Sequence, residues 1–256
     1  MIVLKSLMNF ALDQGYLVGK NPVVAKNLQT KKQKLTDGYA IFEPDEIKTF
    51  FQSERFKNER TSDPDYYWCL MLEIFSGCRV GELTALQVGH VKRSEAGTYY
   101  LQIRDAKTAA GKREVPIPAL IFNQGFGEFL DGKKATEFVF RYQDREGKGA
   151  GNAVGKKFAR NLESARINRE KLVFHSLRKF VNNELMKNGV SLENRCQFVG
   201  HEIENVNVSI YTNKINIDAL AAAVFPTLEK FRDLIDEKKA PWEGLVTDFS
   251  ELVDPM

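Results

Sequence analysis

The sequence has little of what most metal, redox or disulfide chemistry requires. It holds three cysteines and three histidines in 256 residues, with no CxxC, HExxH or close Cys/His set among them. Cys69, Cys78 and Cys196 are odd in number and far apart, which excludes a disulfide framework and leads us to expect reduced, mostly buried thiols. No run of about 18 apolar residues is present, so no membrane-spanning helix is expected. The first ten residues are amphipathic instead of basic and then apolar, which is not the layout of a signal peptide. The expected location is the cytoplasm. Phosphate-loop spacing is missing as well. Gly149-Ala150-Gly151 has Ala at its centre, and Gly155-Lys156-Lys157 has no Ser or Thr after its first lysine, so nucleotide hydrolysis is excluded. No acidic cluster of the two-metal nuclease kind occurs. We therefore expect neither a metal nor a cofactor.

What is present is an uneven charge distribution. The net charge is only +3, yet residues 133–179 carry 13 Lys and Arg against 5 Asp and Glu, whereas residues 233–256 carry 7 acids and 2 bases. A basic middle followed by an acidic end fits either a solvated surface or a surface for a polyanion. Lys156, Lys157, Arg160 and Arg166 are the candidate contacts to a DNA backbone.

Hydrophobic periodicity places a first helix on Val3, Leu4, Leu7, Met8, Ala11 and Leu12, ended by Gly15, Gly19 and Asn21-Pro22. A polar, Lys-rich stretch follows and reads as a linker over 28–40. Residues 1–27, 41–235 and 236–256 then form an N-terminal remnant, a main domain and an acidic amphipathic tail. Within the main domain Glu43-Pro44 and Asp63-Pro64 open helices, and a short helix follows Gly77. Residues 98–104 and 113–117 predict a β-hairpin, with the turn at Gly111. Helices are expected over about 119–130, 152–165, 175–188, 191–198, 206–212 and 216–235. The predicted fold class is mainly α (α+β), with one small antiparallel sheet.

Taken singly, the remaining candidates are unremarkable. Arg79 follows a glycine break at a helix start, and His175 and Arg178 lie three apart on one helical face while Leu177 turns inward. His201 follows Gly200, and Tyr211 stands between Ile210 and Thr212. Together, the stretches SGCRVGELTALQ, HSLRKFVNNELMKNGV and VGHEIENVNVSIYT resemble the arginine box, the His-x-x-Arg box and the Gly-His-to-nucleophile segment of the tyrosine recombinase, or phage integrase, family. The resemblance covers residues 40 to 225 and implies that family's helical catalytic fold.

It also implies roles. Arg79 and Arg178 would hold the scissile phosphate, and Tyr211 would attack it to form a 3′-phosphotyrosyl link that needs neither metal nor ATP. His175 would assist as general base, and His201 would hydrogen-bond a phosphate oxygen. The family's hairpin lysine, the acid toward the leaving 5′ oxygen, is best matched by Lys107, with Lys112 as the alternative. The implied partners are double-stranded DNA and further copies of the chain, as a tetramer on paired sites. No membrane partner is implied. Three features depart from the family pattern. The stretch from His201 to Tyr211 is about one residue longer than the common form, and Lys179 stands where many members have a second histidine. LMNFALDQGYLVGKNPV resembles only the last helix of the DNA-clamping domain, so the chain reads as a catalytic part with most of that clamp missing. In the tail, Leu245, Val246, Phe249, Leu252 and Val253 share one helical face, which either docks on a neighbouring protomer or on the chain's own body. The rival readings are a type IB topoisomerase and a catalytically idle DNA-binding accessory protein.

Overall fold

Asp63-Pro64 begins the helix on which the rest of the main body is built. Pro64 sits in the first turn, where its missing N–H goes unneeded, and the Asp63 side chain accepts the Tyr66 amide at 3.3 Å. In the computed structural model, which describes residues 2–23, 38–104, 111–143, 149, 151–201 and 214–236, this helix spans Pro64–Ser76. The chain divides into two compact units, Met1–Gly38 and Tyr39–Met256.

The first unit contains α1 (Ile2–Asp13). After it the chain folds back, and Asn21 Nδ2 donates to the Lys5 carbonyl at 3.0 Å and to Asn9 Oδ1 at 2.5 Å. Val3, Leu4, Leu7 and Phe10 are exposed on this helix.

The second unit begins with α2 (Pro44–Phe51) and α3 (Glu54–Ser62), followed by the Pro64–Ser76 helix, α4. Every residue of α4 from Tyr66 to Ser76 is buried, so the helix is enclosed on all sides. Phe50 and Phe51 of α2, Phe56 of α3 and Tyr67 of α4 form a ring cluster with centroid separations of 4.9–5.6 Å. Burial of each such side chain contributes about 1.5–3 kcal/mol. Helix α3 was not expected from the sequence, because its polar run ERFKNERTS has no apolar stripe. Ser53 caps it by accepting the Phe56 amide at 3.2 Å, and its inward residues are Phe56 and Glu59.

A short α5 (Val80–Thr84) leads to a three-stranded antiparallel sheet of β1 (Val91–Arg93), β2 (Tyr99–Ile103) and β3 (Arg113–Pro116), in that spatial order. Strand β1 was not expected. Val-Lys-Arg is too short to show alternation, and only its pairing with β2, Val91 opposite Leu101, makes it a strand. The single helix expected over 119–130 is a π-helical turn at Phe122–Phe126 followed by α6 (Gly127–Leu130). Gly125, at φ 100°, breaks the regular path. Next come α7 (Asn152–Ser164), α8 (Phe174–Lys187), α9 (Leu192–Val199) and α10 (Ile217–Leu228). The helix expected over 216–235 is interrupted after Leu228 by a 3₁₀ turn, before α11 (Arg232–Ile235). The helix expected over 206–212 and the tail helix fall outside the described residues. Cys69, Cys78 and Cys196 are buried free thiols. Among the described residues no helix is long and apolar enough to cross a membrane.

Candidate active site

Two glycines in the left-handed region shape the site. Gly77 (φ 58°) ends α4 and Gly200 (φ 71°) ends α9, and each turns its carbonyl toward an arginine distant in sequence. Arg178 of α8 donates from Nη1 to the Gly77 oxygen at 2.6 Å. Arg79, the residue before α5, donates from Nη2 to the Gly200 oxygen at 3.2 Å. Gly200 is also required sterically, since a Cβ there would lie 2.7 Å from Nη1 of Arg113.

Arg113 and Glu82 organise these groups, and neither was a sequence candidate. Nη1 and Nη2 of the buried Arg113 meet Oε1 and Oε2 of Glu82 at 3.2 and 3.1 Å, in the parallel two-bond geometry that suits a guanidinium to a carboxylate. Its Nε donates to the Phe198 carbonyl at 2.9 Å, tying β3 to the end of α9. Glu82 accepts in addition from Arg79, through the backbone N–H and Nη1, both at 2.8 Å. Burial opposes ionisation of Glu82, but Arg113 and then Arg79 hold its carboxyl below the usual range. A sequence signal for the pair did exist. Arg113 is in phase with buried Val115 along β3, and a charge on the inward face of a strand requires a partner.

Arg178 is 2% exposed, and its Nε and Nη2 have no hydrogen-bond partner among the described residues. Burial, followed by repulsion from Arg79 and Arg113, brings its pKa down to about 10. Glu73 of α4 is fully buried, with neither side-chain oxygen hydrogen-bonded among the described residues. Burial pushes its carboxyl well above the ordinary range despite the attraction of Arg178. Glu82, whose ionised form these cations favour, is the acid that stands among Arg79, Arg113 and Arg178.

Both site histidines respond to this positive excess. His175, half-buried at the start of α8, is lowered by burial and then by Arg178, Arg79 and Lys179. His201, exposed just past Gly200, is pushed down to about 4 by partial burial of its ring and then by Arg178, Arg79, His175 and Arg113. Both are neutral at pH 7 and available as proton acceptors or neutral donors. Arg79, His175, Arg178 and His201, spread over nearly half of the chain, thus lie within one another's electrostatic reach. The arrangement is a cradle for an anion, with donors preorganised around it.

Lys107 and Tyr211 lie outside the described residues. Lys112 is exposed, and its carbonyl accepts from Lys214 Nζ at 3.5 Å. On α7, Lys156 and Arg160 are exposed one turn apart, and Arg166 is exposed in the turn beyond. Lys157 corrects the expectation that all four of these cations face outward. It lies on the stripe of buried Val154, Phe158 and Asn161, with Nζ 2.6 Å from both Glu59 and Asp63. Its charge is neutralised inside the protein.

A sequence model of the phage integrase family matches residues 41–216. The chain is 28% identical over 163 residues to the integrase of Staphylococcus phage L54a, a match covering 56% of this chain and 46% of that protein. It is 26% identical over 247 residues to a tyrosine recombinase XerC-like protein of Caldanaerobacter subterraneus subsp. tengcongensis, covering 83% of this chain and 60% of the relative. The chain thus spans about half the length of these curated relatives. Among solved structures, a lambda integrase (75-356) dimer bound to a COC' core site superposes with a TM-score of 0.53 at 15% identity, covering 84% of this chain and 73% of that one. XerH recombinase in a post-cleavage complex with palindromic difH substrate gives a TM-score of 0.54 at 16% identity, covering 91% and 64%. The fold is that of tyrosine recombinase catalytic domains. With the family model spanning well over half of the sequence, the chain belongs to the phage integrase family.

Proposed function

We propose that the chain is the catalytic part of a site-specific DNA recombinase that cuts and rejoins strands through Tyr211. The observation that carries this reading is the cation cradle, in which the buried Arg178 keeps two N–H groups without a hydrogen-bond partner among the described residues and Arg79 stands beside it. Such a site favours a phosphodiester, and still more the extra negative charge of a pentavalent transition state. Arg178 and Arg79 would each donate to the non-bridging oxygens. The Tyr211 oxygen would attack phosphorus while its proton passes to neutral His175, and the 5′ oxygen would leave with a proton from Lys107, or from Lys112 in the alternative assignment. His201 would donate to a phosphate oxygen. The phosphotyrosyl bond retains the phosphoester, so a 5′ hydroxyl of another strand can reverse the step without ATP.

Double-stranded DNA would be held by Lys156, Arg160 and Arg166 on the outer face of α7 and its end, and several copies would assemble on paired sites, as a tetramer. Residues 1–27 would be the end of a clamping domain, and the tail would link neighbouring copies. The reaction would take place in the cytoplasm.

An SDS-resistant adduct assay tests the reading, with the protein and Tyr211→Phe incubated with nicked half-sites or fragmented source DNA. An adduct with the unaltered protein alone supports it. An adduct that relaxes supercoils without rejoining to a second duplex points to a topoisomerase. No adduct, even with a clamping domain supplied, leaves an accessory DNA-binding protein.

A further inference from the structure

The segment Tyr39–Phe42 runs along the His175 side of the site, held by residues about 130 positions later in the chain. Lys179 Nζ donates to the Tyr39 carbonyl at 2.5 Å. The Ala40 amide donates to the Lys171 carbonyl at 2.9 Å, and Arg169 Nη2 donates to the Ile41 carbonyl at 2.5 Å. Arg169 is itself fixed by two bonds to Glu46, from Nε at 2.8 Å and Nη2 at 2.5 Å. Phe42 closes the segment by entering the core, edge-on to Phe158 at 6.2 Å. Lys171 adopts φ 63°, a conformation a non-glycine residue takes at some cost, and it presents its carbonyl to Ala40. Packing alone does not explain this tethering, because Tyr39 at its end is 53% exposed. What Tyr39 does touch is His175. The two rings meet edge to face with centroids 6.1 Å apart and planes at 64°.

We propose that this strap is a positioning device for His175, in which the Tyr39 ring sets the orientation of the imidazole and Lys179 is the tether that keeps Tyr39 in place. The inference rests on the reading of His175 as the proton acceptor. A side chain at a helix start has rotamer freedom, and a general base must point one ring nitrogen at the nucleophile. A ring packed against the imidazole removes the unproductive rotamers. The tether acts on a backbone carbonyl, so it survives changes to the Tyr39 side chain, and the two parts can be tested separately. The charged and titratable groups that face His175 are Arg178 and Lys179 on its own helix, Arg79 before α5 and His201 after α9. Burial is the largest influence that keeps the imidazole neutral, and Arg178, Arg79 and Lys179 add to it.

The test is a pH titration of the imidazole resonances by NMR, without DNA, in the full chain. Only three histidines are present, so His→Gln variants assign them. Tyr39→Ala is expected to remove the ring-current displacement of the His175 Cε1 proton and to move its titration upward, toward the ordinary histidine value. Tyr39→Phe should leave both as they are. Lys179→Met should weaken the ring-current displacement, whereas Lys179→Arg should preserve it. His90 serves as the internal control for intact folding. A His175 resonance unmoved by Tyr39→Ala overturns the proposal, and Lys179→Met that raises the titration but keeps the full ring-current displacement overturns the tether. Tyr39 is exposed enough for Tyr39→Leu to serve as a second variant if the alanine form is unstable. In single-turnover cleavage Tyr39→Ala should slow adduct formation by roughly tenfold with DNA affinity unchanged. The NMR readout needs no reaction, so an unaltered protein that forms no adduct counts against the recombinase reading, and an unmoved His175 counts against the strap.

Discussion

Two polar clusters sit at opposite ends of the same buried helix, α4, separated by about 20 Å of helix length. At its N-terminus Asp63 and Glu59 are both within 2.6 Å of Lys157 Nζ, Arg141 adds a bond to Asp63 at 2.7 Å, and Tyr142 donates its hydroxyl to Asp63. Two acids meet two bases there and the charges cancel. At the C-terminus Arg79, Arg113 and Arg178 surround one ionised acid, Glu82, and both nearby histidines are held neutral. The helix dipole favours this sorting, with acids at the positive end and cations at the negative end. The difference separates a cluster whose charges are matched from one that keeps a positive surplus. The neutral cluster has lowered its own electrostatic energy, and the cationic one has been left with a surplus.

The largest effect is expected from removing the acid that keeps the cationic cluster tolerable. Glu82→Leu leaves Arg113 buried without its carboxylate and should lower stability by about 3–5 kcal/mol, measured by urea unfolding. Arg178→Lys keeps the charge but loses the planar fork, and should slow strand cleavage by about 10²–10³-fold, or about 3–4 kcal/mol of barrier, with DNA binding largely retained.

Lys157→Met tests the other end of α4. Stability should fall by roughly 2–3 kcal/mol at pH 7, because two largely buried carboxylates lose their cation. Asp63 is held below its ordinary value of 3.8: burial opposes its ionisation, but the bonds from Lys157, Tyr142 and Tyr66 outweigh that. Its stabilisation is therefore complete above about pH 3.8 and is lost as pH falls through the depressed value, so acid unfolding of Lys157→Met should lack this contribution. A pH profile of cleavage reports on the cationic cluster. His175 lies below the ordinary value of 6.5 and so stays neutral to lower pH, which places the acid limb of the rate below pH 6.5. The smallest effect concerns α7. Lys156→Ala and Arg160→Ala should each reduce the log–log salt slope of DNA binding by about 0.9, while Lys157→Met should leave it unchanged.

These outcomes also mark what could be read without a structure. Arg79, His175, Arg178 and His201 are unremarkable singly and become candidates only through the order of boxes that resembles one family; what the structure adds is that they lie within one another's electrostatic reach. Strand β1 was not legible, because three residues show no period until a neighbouring strand pairs with them. Lys157 was misplaced because a charge count does not report which side of a helix a residue occupies. Its spacing from Val154 and Asn161 did carry that information.

Most of the longer helices, the glycines that turn the chain, and widely spaced cations in an order that resembles this family's could be read from the sequence alone. Tertiary structure decided which charges are neutralised and which are left over. Glu82 and Arg113 are 31 positions apart, Arg79 and Gly200 are 121 apart, and Tyr39 and Lys179 are 140 apart. The electrostatic state of a group depends on distance and burial in space, and separations of that length leave no local trace along the chain.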